Sequence, residues 1–483
     1  MTAPWSVVAS RSPAFIVCCR QCWQSRPGRS SNNSAARYAR SYSTAATTTA
    51  TPTLQAPVAR GVVALASRRL LAVAGPDALK FLQNMLTANL TRLEDRPDGT
   101  KGVRGLYAAF LSAQGRGADD PRAAYLIEVD AEQAATLEKH IRRYRLRSKL
   151  DVRVLDGGGG GGGDGKTPTV WHAWGGDDEV PFLEEHDDAG QEQTVPWIAL
   201  RDVRAPGLGW RYITGGDAAA APAATTTPPL PLPVADETAY RVHRYLLGVA
   251  EGQREMLRDQ ALPLESNLDV MGAIDFHKGC YVGQELTIRT RHRGVVRKRI
   301  LPCVVYSDGG EAVAAAAVNK PDALTYAPTV LVPPTDTTSG TAAAAPAAVV
   351  VVDAETVPAE TSIGRVAKRG RSAGKWLRGV GNLGLALCRL ETMTDVVPSI
   401  GAGAGVAATA AATAVFDPAS EFSLNVQASS GAAAAVTPSE STTATTAAAA
   451  AATTATETTE AAMPALKIKA FVPDWLRQGL AEP

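Results

Sequence analysis

The first 76 residues contain no aspartate or glutamate, whereas arginine stands at 11, 20, 26, 29, 37 and 40 among many Ser, Thr and Ala. A basic segment without acids is the composition of a mitochondrial transit peptide, and the Arg40 to Ser43 stretch fits matrix-peptidase cleavage after Tyr42. Residues 1–42 are therefore expected to leave on import to the matrix. No apolar run is long enough to span a bilayer, so a membrane-embedded role is not expected. Removal of residues 1–42 leaves 43 basic against 48 acidic residues, a formal charge of −5. General nucleic-acid binding is not expected of such a chain. Cysteine is also scarce. Cys18, Cys19 and Cys22 go with the presequence, and Cys280, Cys303 and Cys388 lack metal-ligand spacing, which excludes a self-contained zinc or Fe4S4 site. His140, His172, His186 and His243 have no partners at ligand spacing and read as surface or core residues.

What is present divides the chain. Ala/Thr/Gly/Pro tracts carry too little apolar surface to offset the entropy of ordering them. The expected partition is a body over 58–310 with inserts at 157–165 and 216–234, and a small β-rich C-terminal domain over 362–398 plus 463–483. Low-complexity inserts occupy 311–361 and 399–462. Within the body, Gly75-Pro76-Asp77 opens a helix with Pro76 in its first turn, and Leu79, Leu82, Met85 and Leu86 share a face. Residues 106–111 and 125–129 read as strands around a turn at 114–116. Asp130 then caps a helix, with Gln133 as its capping-box partner and Leu137, Ile141 and Tyr144 as its apolar stripe. Val152 and Val154 alternate as a strand, and 471–476 reads as the strand that closes the C-terminal domain. Such a succession favours an α+β class with split βαβ units.

Residues 240–302 carry the chemistry. In the run 278–285, Gly279 and Gly283 flank Cys280-Tyr281-Val282, so the backbone is able to present Cys280 on an exposed turn. Lys278 and His277 lie beside it, and a nearby cation favours the thiolate, the nucleophilic and metal-binding form. The other reading is a buried structural thiol. Gln284 and Glu285 either brace the turn or face a ligand. Between Leu286 and Ser307 there is no acid, and Arg289, Arg291, Arg293, Arg297, Lys298 and Arg299 form a positive stretch. On a strand, Arg289, Arg291 and Arg293 share a face. That face would serve a polyglutamyl tail, an anionic cluster or RNA, or would simply be solvated.

The run 278–285 resembles the signature of the YgfZ/GcvT-like folate-binding proteins, which include mitochondrial iron-sulfur assembly factors and share a fold with glycine-cleavage aminomethyltransferase. Residues 81–87, 114–116, 143–150 and 202–211 resemble other blocks of that family in the usual order. The resemblance implies an aminomethyltransferase-like, multi-lobed body. It makes Lys278, Gly279, Cys280, Tyr281, Gly283, Gln284 and Glu285 the functional motif, with Cys280 as one ligand of a transient iron-sulfur cluster. A single cysteine cannot hold four irons, so that cluster would be shared with a partner, which the family implies is a small A-type iron-sulfur carrier. Fe4S4 enzymes would be the clients. Glu251 falls where the family places the carboxylate that accepts from the pteridine of tetrahydrofolate, with Arg289 as a second folate-binding residue; Glu251 also reads as a helix-end acid before Gly252. Two rival functions stay open. Folate-dependent aminomethyl transfer would use Asp119 and Asp120, which otherwise form a turn before Pro121, and RNA modification would use the basic stretch.

Overall fold

The computed structural model describes residues 14–20, 57–93, 105–110, 124–155, 168–175, 198–214, 230–307, 330–332, 350–366, 371–396, 399–400, 416–424 and 466–481. Strands β1 (Ala14–Arg20), β2 (Gly61–Ala64) and β3 (Arg68–Ala74) lead to helix α1 (Ala78–Met85). After β4 (Gly105–Phe110) and β5 (Ala124–Asp130) come α2 (Ala134–Tyr144), β6 (Asp151–Val154), β7 (Thr169–Trp174), β8 (Ile198–Arg201), β9 (Trp210–Thr214) and α3 (Glu237–Leu246).

Two sheets follow from these strands. One has the order β4-β1-β5-β3-β6, with β1 parallel to both neighbours and β3 antiparallel to β5 and β6. The other is β2-β7-β9-β8 and antiparallel throughout. The alternation of β3 and β5 gives each of them two buried faces. Leu71, Val73, Tyr125, Ile127 and Val129 pack with Phe81, Leu82, Met85, Leu137 and Ile141 of α1 and α2. Leu70 and Leu126 face Val170, Trp174, Ile213 and Tyr240 between the sheets.

Leu82, Met85, Leu86, Leu137 and Ile141 are buried as the sequence implies, Leu79 and Tyr144 are only partly buried, Phe81 joins the core from outside the expected stripe, and the helix starts differ. Helix α1 begins at Ala78, and Asp77 turns its carboxylate to the Lys149 N–H instead of capping. A single 3-10 turn (Ala131–Gln133) precedes α2, and Asp130 makes no cap bond because Arg68 and the Gln253 N–H occupy its carboxylate. In both places a partner distant in sequence takes the carboxylate that a local cap would have used. The turn at 114–116 and Asp119 and Asp120 lie outside the described residues.

Helix α4 (Gln284–Arg293) leads to the C-terminal barrel, which is closed by β10 (Lys298–Tyr306), β11 (Ser362–Arg365), β12 (Gly374–Val380), β13 (Leu383–Arg389), β14 (Phe422–Leu424) and β15 (Leu466–Ala470) in the order β10-β13-β12-β11-β14-β15. Its interior is Leu301, Cys303, Ile363, Trp376, Ala386, Cys388, Phe422 and Ile468. This differs from the expected partition in four places, one of them the tract 311–361, which contributes the paired strands Val330–Val332 and Val350–Val352 and puts Ala354 and Val357 in the barrel core. The barrel starts at Lys298, before the expected end of the body at 310. It takes β14 from the tract 399–462. Its last strand is β15, whereas 471–476 turns at Pro473 into helix α5 (Asp474–Ala481), since proline has no N–H for a ladder.

Deletion of 399–462 is therefore expected to lower the thermal midpoint sharply, because it removes the strand between β11 and β15 and opens the barrel. Excision of 430–460 alone, an Ala/Thr tract, should leave the midpoint within a few degrees. Differential scanning calorimetry of both chains tests this.

Candidate functional site

The 278–285 run forms a turn pinned from below. Tyr281 and Val282 are buried in the core beneath α1, and the Val282 N–H donates to Asn84 O at 3.2 Å. Asp275 Oδ1 accepts from the N–H groups of His277 and Lys278 at 2.8 and 3.1 Å, which tightens the approach. Gly283 sits at φ +75°, a left-handed position that glycine alone takes without strain, and caps α4. Gln284 Oε1 accepts from the Tyr281 N–H at 3.3 Å and braces the turn; Glu285 is exposed in the first turn of α4. Between these anchors Cys280 is exposed to solvent.

Lys278 is not aimed at that thiol. Its Nζ donates to the carbonyls of Gln83, Leu86 and Ala88 at 2.6, 2.9 and 2.8 Å, at the end of α1 where carbonyls lack helical partners. An ammonium has three donors, so none is left for sulfur. Burial pulls its pKa down to about 8. Lys278 thus fixes the turn to α1 rather than activating Cys280.

Glu251 lies beyond the end of α3, not on it, at the hub of a buried ion network. Its Oε2 accepts from Arg204 Nη1 at 2.7 Å, Arg211 Nη2 at 2.6 Å and Tyr240 Oη at 2.8 Å. Arg204 also grips Asp202 with two bonds of 2.8 and 2.6 Å, and Arg211 reaches Glu128 at 3.2 Å. Arg68 bonds Glu128 and Asp130, while Arg244 bonds Glu255, which accepts the Glu251 N–H at 2.7 Å. Gly252 (φ +80°) is required here, since a Cβ would stand 2.7 Å from the Asp130 carboxylate.

Burial pushes the Glu251 carboxyl up, but Arg211, Arg204, Arg244 and Arg68 outweigh it and hold the pKa well below the usual range. Burial followed by Arg211 drives His172 well below its ordinary value. Its Nε2 stands 2.8 Å from Leu208 O and its Nδ1 2.9 Å from Arg211, which suits a neutral ring. Burial raises the Tyr240 phenol to about 12, so it stays a donor to Glu251. Glu251 Oε1 accepts no hydrogen bond among the described residues, and the buried Arg244 Nε, also unbonded, faces it at 3.9 Å. The hub thus presents one acceptor oxygen.

The basic stretch is divided by the fold. Arg289, Arg291 and Arg293 are on helix α4, not on a strand, so Arg289 and Arg293 share an exposed face while Arg291 turns over the Phe276 ring at 5.1 Å. Arg289 has no bond to the Glu251 network among the described residues. Arg299 is buried and holds Asp269 with bonds of 2.6 and 2.9 Å, which makes it structural. Cys303 and Cys388 are buried in the barrel with their sulfurs 3.8 Å apart. His140 and His172 are core residues, and His186 is outside the described residues. No group of three or more His, Cys, Asp or Glu among the described residues could hold a metal alone.

Residues 297–418 match the C-terminal beta-barrel domain of CAF17. A mitochondrial iron-sulfur cluster assembly factor IBA57 homolog from Chaetomium globosum is 45% identical over 440 residues, covering 87% of this chain and 84% of that protein. The chain belongs to the IBA57 family. The Pyricularia oryzae IBA57 homolog is 44% identical over 430 residues, covering 87% and 86% of the two chains. Among solved structures, aminomethyltransferase T of the glycine cleavage system from Bartonella henselae is similar at 10% identity and a TM-score of 0.38, over 68% of this chain and 78% of that one. In this IBA57-family chain the CAF17 barrel match takes in β10 to β13 and stops before β14. The Cys280 turn and the Glu251 hub lie ahead of that match. Arg204 and Arg211 lie within the block 202–211 and Tyr240 opens the run 240–302, each with no role attached by the sequence, and Arg68 and Glu128 carry no signal of their own.

Proposed function

We propose that this IBA57-family protein is a mitochondrial iron-sulfur cluster assembly factor that promotes Fe4S4 maturation or delivery, with Cys280 as its ligand to the cluster. The observation that carries the site is an exposed thiol on a turn braced by Lys278, Tyr281, Gly283 and Gln284. One thiolate supplies one coordination position, so the cluster is shared. The partner is an A-type iron-sulfur carrier, and the clients are Fe4S4 enzymes. Glu285 and Arg289 on the exposed side of α4 follow the thiol in sequence and border that interface.

Tetrahydrofolate fits the Glu251 hub. Oε1 is an anionic acceptor left open by donors that saturate Oε2, and the amino-pteridine edge is rich in N–H donors. Glu251 would take that edge, with Arg204, Arg211 and Tyr240 fixing the carboxylate and Arg289 as the residue for the anionic tail. Bound folate would supply one-carbon chemistry at N5 and N10.

Residues 1–42 form the transit peptide in this reading, and Edman sequencing of the organellar protein should begin near Ser43; a start at Met1 overturns it. Cleavage there also takes β1 out of its slot between β4 and β5. The function itself is tested by anaerobic co-purification of the mature chain with an A-type carrier. Iron-sulfur absorbance should appear with both proteins present and be absent with this chain alone.

A further inference from the structure

Away from the thiol and the Glu251 hub, a cavity of about 230 Å³ opens between the 255–266 segment and the outer wall of the barrel. Alternate residues of three neighbouring strands face it: Lys298 and Ile300 of β10, Lys375 and Leu377 of β12, and Leu387 and Arg389 of β13. Leu257, Ala261 and Leu262 close the opposite side. The space is apolar with cations along one edge.

Those cations are arranged at a cost. Lys298 and Arg389 are register partners across β10 and β13, and like charges directly opposed weaken an antiparallel pair. Glu265 answers Lys298 at 3.4 Å, and Glu360 answers Lys375 at 3.1 Å. Arg389 pairs with no carboxylate among the described residues. Its Nε donates to Ser372 O at 2.9 Å, which fixes the guanidinium plane and leaves both terminal nitrogens without an acceptor among those residues. A fixed planar fork with one uncompensated positive charge matches a carboxylate bidentately. Glu255 and Glu265 in the same lining disfavour a dianion.

We propose that this cavity is a binding site for a small amphipathic monocarboxylate, its head on the terminal nitrogens of Arg389 beside Lys298 and its apolar body against Leu257, Leu262 and Leu377. The site is independent of the cluster and folate readings. It touches them at one place, since Glu255 lines the cavity and also holds the Glu251 N–H.

Isothermal titration of the full chain with benzoate, and with benzamide as its neutral isostere, tests the proposal. Benzoate should bind saturably at one site. Benzamide on the native chain, and benzoate on Arg389→Gln, should each bind about tenfold more weakly, the loss of a charge-assisted hydrogen bond. Ala261→Phe, which fills the cavity without touching a charge, should abolish benzoate binding, and thermal unfolding confirms that each variant is folded. Should Arg389→Gln not fold, benzamide and Ala261→Phe decide the matter alone. No saturable benzoate heat, equal affinity for benzamide, or undiminished binding to folded Ala261→Phe overturns the site.

Discussion

Cys280→Ser should leave the fold and folate binding intact while removing cluster bridging and the support of Fe4S4 enzymes in cells. The side chain is exposed, and the turn is held by its neighbours, through Lys278 on the α1 carbonyls and Tyr281 and Val282 in the core. A hydroxyl therefore costs the turn little. It costs the cluster most of its affinity, because iron-sulfur centres select soft thiolate ligands. Absorbance of the anaerobic co-purified complex and the activities of mitochondrial Fe4S4 enzymes report the loss. Cys303→Ser and Cys388→Ser provide the contrast. Both sulfurs are fully buried in the barrel, so each serine should destabilise by about 1–3 kcal/mol through a hydroxyl in an apolar interior. Full support of Fe4S4 enzymes by Cys280→Ser would return that cysteine to a packing role.

Glu251→Ala should destabilise the body by about 3–5 kcal/mol, because it strands buried charge. Arg204 and Arg211 each keep one other carboxylate, but the oxygen on which both converge with Tyr240 is lost. Folate affinity is then better read in Glu251→Gln, which keeps the shape and loses the charge.

The same network sets the acid limb. Burial raises and Arg204 lowers the Asp202 carboxyl, which comes to about 2 against an ordinary 3.8, and Glu251 is also held low. Depressed carboxyls contribute stability that is present above their unfolded values and lost as pH falls through their folded values. Urea midpoints of the native chain should therefore fall between roughly pH 5 and pH 2. In Glu251→Gln the limb should be shallower, since one depressed carboxyl no longer takes up a proton. An unchanged limb would remove Glu251 from the network.

Local pattern alone carried the stripe of α1 at Leu82, Met85 and Leu86, that of α2 at Leu137 and Ile141, and the strand at Val152, and it allowed an exposed Cys280 between two glycines without deciding it. Each depends on residues within a turn or two of one another, where spacing and burial are coupled. The family resemblance supplied the expected roles of that cysteine and of Glu251, which remain proposals, and the identity with IBA57 homologs places the chain in the family. Tertiary structure decided the rest. It turned Lys278 onto the α1 carbonyls, put Arg289 on a helix, buried Arg299 against Asp269, and drew β14 from a tract without periodicity. It also gathered Arg68, Glu128, Arg204, Arg211 and Tyr240 around Glu251 from four separate stretches of the chain. A charge in a sequence shows neither its depth nor its partner, because both are set by contacts between residues far apart in the chain, and only the packed sheets supply the low-dielectric surroundings that make those pairings strong.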